Sequence, residues 1–390
     1  MTSEVDICII GGGIQGVGVA QAAAAAGYRV ALLEKTALGN ATSSASSKLI
    51  HGGLRYLETF QLKLVAESIR ERDRLIELAP ELVKRVPFYI PVYRFTSRRP
   101  WQVVTGLSIY ALLGKLRATA CFQKITPDKW STLDQIRTRD LQAVYQYFDA
   151  QTDDVKLTRA VMQSATELGA QLYCPATFKS ARYENNRYNV VYDEAGREAE
   201  LAARCLVNAT GPWVSTLQPT ITPVVTPPAV HLVQGAHIVL KHPAPRGIYY
   251  VESLQDHRAV FIMPWYGKTM VGTTETAFSG DPQHIAPTQH EVEYLLAIAR
   301  YYFPHASQEI DSQFAGARVL PVGDNKLFHR PRDTIYFQDE RLPGYLALMG
   351  GKLTGYRTSA LKAIRYLANH LPERQSIADT ASLTLQPVDA

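Results

Sequence analysis

The feature that most constrains the fold lies at the start of the chain, where an apolar segment runs into a glycine-rich turn. Residues 5–10 predict a buried parallel strand, and the alanine-rich residues 15–26 after the turn predict a helix. A second strand is expected over 30–33. Strand, helix and strand together form a βαβ unit, so the chain is expected to begin with an α/β, Rossmann-like fold.

The turn itself has the GxGxxG spacing of a dinucleotide-binding loop, formed by Gly11, Gly13 and Gly16. The first glycine makes the tight turn, the second lets the backbone approach a pyrophosphate, and the third allows helix and strand to pack closely. The N–H groups at the helix start then face the phosphates. Glu34 ends the second strand, where its carboxylate can accept hydrogen bonds from an adenosine ribose. These residues predict a dinucleotide site and leave FAD and NAD as alternatives.

The composition is that of a globular protein and excludes some classes of partner. The net charge of +5 suits an anionic substrate or an anionic membrane surface but is too small to indicate nucleic acid. The four cysteines have no metal-ligand or disulfide spacing, so we expect no metal and a reducing compartment. We expect neither a signal peptide nor a membrane span, which needs roughly 18 consecutive apolar residues.

The rest of the chain predicts a second unit built mainly from antiparallel strands. Strand patterns dominate from 225 to 276. Pro87, Pro91 and Pro100 are expected to break the chain into extended pieces. Further predicted elements are helices over 62–78, 153–168 and 291–302, a hairpin over 187–203, strands over 206–209 and 345–349, and a last helix to about residue 369.

A run of small hydroxyl residues after Glu34 leads into a second glycine-rich segment, and residues 41–58 read ATSSASSKLIHGGLRYLE. A hydroxyl-rich run by itself is typical of a solvated loop. The complete string, however, resembles the signature of the FAD-dependent glycerol-3-phosphate dehydrogenase family. Further motifs of that family follow in order, namely LVNATGPW at 206–213, QGAHIV at 234–239, VGTT at 271–274, GDP at 280–282, GAR at 316–318, RD at 332–333, GGKLT at 350–354 and YR at 356–357.

The resemblance covers residues 5 to about 370 and implies that the dinucleotide is FAD. It implies a cofactor site made of Gly11, Gly13, Gly16, Glu34, Thr42, Ser43, Ser47, Lys48, Gly211, Gly351, Lys352, Leu353 and Thr354. Val319, Gly355 and Glu275 depart from the proline, threonine and aspartate common in the family. The printed sequence also ends near the point where the family continues into a C-terminal helical domain.

The family's substrate site is expected to hold a dianionic phosphate. Guanidinium groups suit this task because they stay charged and can bind an anion through two hydrogen bonds. Arg55, Arg318 and Arg332 match the family's arginines, and Tyr56 is a candidate hydroxyl donor.

Two histidines and a lysine are the other catalytic candidates. His237 lies in an apolar segment, so it is either a satisfied core histidine or, as the family match indicates, a base for the substrate hydroxyl. His51 is the rival, and its neighbouring glycines indicate close packing under the flavin ring. Lys352 can place a positive charge near the substrate or the flavin, or it can simply cap a helix.

An apolar segment over 101–116 has basic residues at both ends, among them Lys115 and Arg117. With Trp101 at its start, it fits a helix that lies in a membrane surface. A core helix under the substrate domain is the alternative, and the sequence favours neither.

Together these patterns predict a two-domain flavoprotein that oxidises a small phosphorylated alcohol. We expect the FAD domain over 1–80, 145–215 and 310–372, a mixed, largely antiparallel substrate domain over 81–144 and 216–309, and a tail over 373–390. The implied reaction converts glycerol 3-phosphate to dihydroxyacetone phosphate and passes electrons to a quinone or to oxygen, in the cytoplasm or on the inner face of the cell membrane. The alternatives are an oxidoreductase for another hydroxy acid or amine, and a flavin-binding electron carrier or interaction subunit. The sequence does not predict the oligomeric state.

Overall fold

The computed structural model describes residues 3–117, 121–322 and 333–388, which form two sheets with helices packed against them. The helices are α1 (Ile14–Ala25), α2 (Leu62–Leu78), α3 (Pro100–Leu113), α4 (Asp154–Glu167), α5 (Val214–Leu217), α6 (Gln289–Tyr302) and α7 (Tyr356–Leu367). The strands are β1 (Ser3–Ile10), β2 (Val30–Leu33), β3 (Leu49–Ile50), β4 (Val83–Tyr93), β5 (Gln123–Ile125), β6 (Leu141–Thr152), β7 (Gln171–Tyr173), β8 (Ala176–Glu184), β9 (Arg187–Glu194), β10 (Arg197–Asn208), β11 (Ile221–Thr222), β12 (Val230–Pro243), β13 (Ile248–Glu252), β14 (Ala259–Trp265), β15 (Lys268–Gly272), β16 (Thr276–Phe278), β17 (Ile310–Pro321), β18 (Ile335–Phe337) and β19 (Tyr345–Met349).

The first sheet has a parallel centre built around the N-terminal βαβ unit. β1 pairs in parallel with β2 on one side and with β10 on the other, and β10 also pairs in parallel with β19. β8 and β9 extend this sheet as antiparallel strands. β2 and β19 are buried along their whole length, which explains why they appear in the sequence as continuous apolar runs.

Helix α1 lies in the core beside this sheet, where it packs against α4 and α7. Its small side chains let these neighbours approach closely. At Gly18, a Cβ atom would lie 2.8 Å from Cδ2 of Tyr356. Gly18 is therefore a packing requirement, whereas the alanines of α1 favour the helix through their propensity.

The second sheet confirms the mixed, largely antiparallel architecture predicted for the rest of the chain. Its order is β16-β12-β15-β14-β13-β4-β6-β3, with β17 paired to β12 and β5 to β6. The pairing is antiparallel except between β13 and β4. One face packs under α2 and α3, and the other packs under α6.

Two predictions about the strands were wrong. β4 runs without a break through Pro87 and Pro91 and pairs with β6 over its whole length. The two prolines are four residues apart, so their missing N–H groups face the same side of the strand and pairing on one side is retained. Residues 206–209 are not a separate strand either, since β10 continues from its pairing with β9 directly into its pairing with β1.

The domain boundaries stay a prediction, and two segments bear on them. β17, assigned above to the FAD domain, pairs with β12 in the second sheet from Ile310 to Pro321. The C-terminal segment packs against the ends of α1 and α2, because the backbone N–H of Ile377 donates to the carbonyl of Ala25 and that of Leu385 donates to the carbonyl of Leu78.

Candidate active site

The glycine-rich turn forms an open cradle at the N-terminus of α1. Gly11 has φ +106°, and a Cβ atom there would lie 2.7 Å from the carbonyl oxygen of Ala209. A Cβ atom on Gly16 would overlap the carbonyl oxygen of Gly11. A Cβ atom on Gly13, by contrast, would meet only the Ser43 hydroxyl, at 3.2 Å. Gly11 and Gly16 therefore shape the turn, and Gly13 faces the space that a bound group would take.

Glu34 is held beside this cradle by backbone hydrogen bonds. Its Oε2 accepts from the N–H of Gly12 at 2.7 Å, and its Oε1 accepts from the N–H of Thr36 at 2.8 Å. Oε1 also accepts from the Thr36 hydroxyl at 3.2 Å. A carboxylate oxygen can accept two hydrogen bonds, so Oε2 is the oxygen that retains capacity for a ribose hydroxyl.

The hydroxyl-rich run is not a solvated loop, because its side chains tie separate parts of the site together. Thr42 donates to the carbonyl of Ala317 at 2.7 Å, and Ser43 accepts from the N–H of Ile14 at 3.0 Å. Lys48 is buried and forms an ion pair with Asp154 at 2.8 Å. The hydroxyl-rich run thus links α1, which lies beside the first sheet, to β17 of the second sheet.

His237 lies on β12 and is completely buried. Its Nε2 is 3.0 Å from the Ser47 hydroxyl, and its ring stacks on Phe314 with centroids 4.9 Å apart. Burial, and then the charges of Arg318 and Lys48, hold the pKa of His237 well below 6.5. Its Nδ1 has no hydrogen-bond partner among the described residues. Burial and these charges therefore favour the neutral imidazole, which is the form of histidine that can accept a proton.

Arg318 lies on the neighbouring strand β17, with its guanidinium over Gly235 of β12. A Cβ atom at Gly235 would lie 2.5 Å from Nη2 of Arg318, so only glycine leaves room for the group. Nη2 donates to the Thr273 hydroxyl at 2.8 Å, and Nη1 is 3.6 Å from a carboxylate oxygen of Glu275. A fixed cation is thus placed close enough to His237 to lower its pKa.

A second cationic group forms around Tyr56. Arg55 donates to the Tyr56 hydroxyl at 3.2 Å, and Lys352 Nζ lies 4.2 Å from the centre of the Tyr56 ring. Burial alone would lower the pKa of Arg55, but Tyr56 and then Glu275 raise it. Glu275 is therefore close enough to influence Arg55 as well as Arg318.

The closing motif contacts the glycine-rich segment that follows the hydroxyl run. The N–H of His51 donates to the hydroxyl of Thr354 at 3.2 Å, and Leu353 packs against the core of the first unit. Gly211 and Gly351 both have positive φ, at +57° and +102°. The predicted site residues on these segments are therefore held by interactions between distant parts of the chain.

The structure also shows which residues the sequence reasoning missed. Arg332 lies outside the described residues. Arg258, which no motif marked, pairs with Glu275 at 3.2 Å. Glu275 itself was noted only as a departure from a family pattern, and Thr273 and Phe314 carried no separate signal. No spacing pattern could have found Arg258, because its contact depends on strand pairing.

Comparison with known proteins agrees with this geometry. Residues 6–360 match the family model described as FAD dependent oxidoreductase. A glycerol-3-phosphate dehydrogenase of Synechocystis is 33% identical over 376 residues, covering 90% of this chain and 68% of the relative. A D-erythritol 1-phosphate dehydrogenase of Brucella abortus is 34% identical over 380 residues, covering 94% and 74%. The glycerol-3-phosphate dehydrogenase of Bacillus halodurans, solved with FAD, superposes with a TM-score of 0.76 at 26% identity, covering 98% of this chain and 68% of that one.

Fold and site together define a flavin-dependent oxidoreductase. The chain belongs to the FAD-dependent oxidoreductase family. The predicted cofactor, FAD, and the predicted resemblance to FAD-dependent glycerol-3-phosphate dehydrogenases are confirmed. The residues present fit FAD: Gly13 faces an open cradle, and the buried Oε1 of Gln15 on α1 has no partner among the described residues.

Proposed function

We propose that this enzyme oxidises glycerol 3-phosphate to dihydroxyacetone phosphate. The observation that carries the proposal is a buried imidazole at His237 on β12 together with a guanidinium at Arg318 on the adjacent strand β17, close enough to lower the pKa of His237. Oxidation of an alcohol needs a base for the hydroxyl proton and a hold on the rest of the molecule. His237 supplies the first and Arg318 the second.

Different side chains of the protein take the proton of the substrate and bind its phosphate. His237 takes the proton of the C2 hydroxyl, and Ser47 holds the imidazole through Nε2. Arg318 and Arg55 bind the phosphate, and we call these two arginines the phosphate clamp. Lys352 adds a third positive charge beside Tyr56. FAD held in the cradle around Gly13 would supply the acceptor for the C2 hydride and, once reduced, would supply electrons to a quinone. Arg332 and His51 are further residues of the proposed active site.

The alternative substrates can be separated by one experiment. The purified protein is mixed anaerobically with each compound, and bleaching of the flavin absorbance is followed. Glycerol 3-phosphate should bleach it fastest, and glycerol, lactate and glycine should bleach it slowly or not at all. D-erythritol 1-phosphate is also tested, because the Brucella abortus relative is named a D-erythritol 1-phosphate dehydrogenase. Equal bleaching by glycerol and glycerol 3-phosphate would rule out a phosphate clamp, and bleaching by none would favour an electron carrier.

Replacement of Arg318 with alanine should lower kcat/KM for glycerol 3-phosphate by at least about ten- to a hundredfold. A charged hydrogen bond left unmade costs roughly 1.5–3 kcal/mol. FAD content should stay unchanged, because the Arg318 guanidinium contacts Thr273 and Glu275 and not the glycines of the cradle. Arg341, which pairs with Asp339 on the surface, gives a matched control. The clamp is rejected if Arg318→Ala and Arg341→Ala have the same kcat/KM as the wild type.

Helix α3 presents a separate surface that suits a membrane. Its inward face buries Val103, Leu107 and Tyr110. Its outward face exposes Trp101, Ile109 and Leu112, and Leu116 just beyond the helix is also exposed. The helix is therefore both a core helix and an exposed apolar helix. No helix in the described ranges is long and apolar enough to cross a bilayer.

We propose that this face lies in the interface of an anionic membrane, where a quinone acceptor would be found. The exposed Lys115 and Arg117 at its C-terminal end provide the positive charge that such a surface attracts. In this proposal the enzyme is a peripheral membrane protein.

Flotation with anionic liposomes tests the membrane proposal. The wild type should float at low salt, and Trp101→Glu should float much less, because a charge replaces an interfacial aromatic group. Ile377→Glu is the control, since Ile377 is similarly exposed but belongs to the C-terminal segment. A wild type that stays at the bottom, or a Trp101→Glu variant that floats like the wild type, contradicts the proposal.

A further inference from the structure

The phosphate clamp contains a buried carboxylate, which is unexpected in a site that binds an anion. The Glu275 side chain is only 3% exposed. Its Oε1 lies 3.6 Å from Nη1 of Arg318, and its Oε2 lies 3.2 Å from Nη2 of Arg258. Each carboxylate oxygen therefore faces a different guanidinium group.

The residues before Glu275 fix its position relative to both functional strands. Thr273 accepts a hydrogen bond from Arg318 at 2.8 Å. Thr274 accepts from the N–H of Ala236 at 2.8 Å and donates to the buried Glu291 at 2.6 Å. Ala236 immediately precedes His237 on β12. The segment that ends in Glu275 is thus anchored to the strand of the base and to the guanidinium of the clamp.

The carboxylate has two opposite electrostatic effects. It offsets the repulsion between Arg318 and Arg258 and holds each of them in one orientation, which favours catalysis. It also repels any anion that enters the clamp, which weakens anion binding. Its influence extends to Arg55, whose pKa it helps to raise.

We propose that Glu275 is a positioning residue that orients Arg318 for the substrate phosphate and lowers the affinity of the clamp for free phosphate. This inference rests on the proposed function, since it concerns the same phosphate site. Its consequence is specificity: a phosphate joined to the correct alcohol gains from the orientation, whereas inorganic phosphate experiences only the repulsion. A carboxylate that merely stabilised the fold would have no such opposite effects.

Glu275→Gln keeps the shape of the side chain and removes its charge. We expect kcat for glycerol 3-phosphate to fall about tenfold or more, because Arg318 loses a charged partner. We expect inorganic phosphate, as a competitive inhibitor, to bind about three- to tenfold more tightly, because one nearby negative charge is lost. Binding of phosphate is also measured by calorimetry on the FAD-loaded protein without substrate, so that this readout does not depend on turnover.

Three comparisons make the result decisive. Glu275→Asp restores the charge and should return phosphate affinity close to the wild-type value. Glu309→Gln removes a carboxylate that pairs with Lys241 on the surface and should change neither constant. FAD content and melting temperature report on folding. Weaker or unchanged phosphate binding by Glu275→Gln would overturn this inference while leaving the proposed function intact, whereas a wild type that does not oxidise glycerol 3-phosphate would overturn the proposed function itself.

Discussion

Replacement of His237 with alanine should lower kcat by about 10²–10⁴-fold with little change in substrate affinity, because a base acts on the proton in transit and not on the bound phosphate. The same loss is expected for His237→Gln, which fills more of the buried space beside Phe314 but cannot accept the proton as imidazole does. Anaerobic stopped-flow measurement of flavin bleaching gives the rate constant and the apparent dissociation constant separately.

His284, which is largely exposed, provides the control, and His284→Ala should behave as the wild type. The role of His237 as the base is refuted if both His237 variants keep the wild-type bleaching rate with FAD bound. His51 would then become the leading candidate.

The pH dependence of stability offers an independent check on the state of His237. The pKa of His237 in the folded protein is held well below 6.5. Below about pH 6.5, His237 is therefore protonated in the unfolded chain but stays neutral in the folded protein. The contribution of neutral His237 to stability is therefore present above pH 6.5 and is lost as the pH falls below it. The free energy of unfolding of His237→Gln should depend less steeply on pH between 6.5 and 5 than that of the wild type.

Replacement of Gly13 with valine should abolish FAD binding. Gly13 precedes the first residue of α1 and faces the open cradle, so a branched side chain would fill the space of the pyrophosphate. The wild-type protein should be yellow and release FAD, not FMN, when it is denatured, and the variant should release none. Chromatography of the supernatant after denaturation measures both.

Gly106→Val is the matched control, because a Cβ atom on Gly106 meets nothing within 4 Å. It should retain FAD, and it should not weaken α3, because valine has a higher helix propensity than the glycine it replaces. If Gly13→Val retains FAD, the pyrophosphate does not occupy the space beside Gly13. Release of FMN or NAD by the wild type would contradict the assigned cofactor.

The local elements of the fold could be predicted from the sequence because their information is contiguous. The sequence predicted the observed bounds of β2, β19 and α2. Apolar runs and helical periodicity can be recognised from consecutive residues alone. β4 could not be predicted in this way. Its prolines argue against a long strand, and only its pairing with β6 shows that one side of the strand can tolerate them.

The same distinction holds for the site. The hydroxyl run could be recognised as a motif, but the sequence did not show that Thr42 would bond to Ala317 or that Ser47 would lie beside His237. Arg258 carried no signal at all. Such contacts join residues far apart in the chain, and only strand pairing brings them together.

The sequence by itself determined the βαβ unit and its glycine-rich turn, because short runs of neighbouring residues suffice for both, and it indicated FAD through motifs spread over residues 5 to about 370. The tertiary structure alone decided that His237 is neutral and that Glu275 joins Arg318 to Arg258. Both depend on burial and on distances between charges, which arise only when β12, β15 and β17 lie side by side and exclude water.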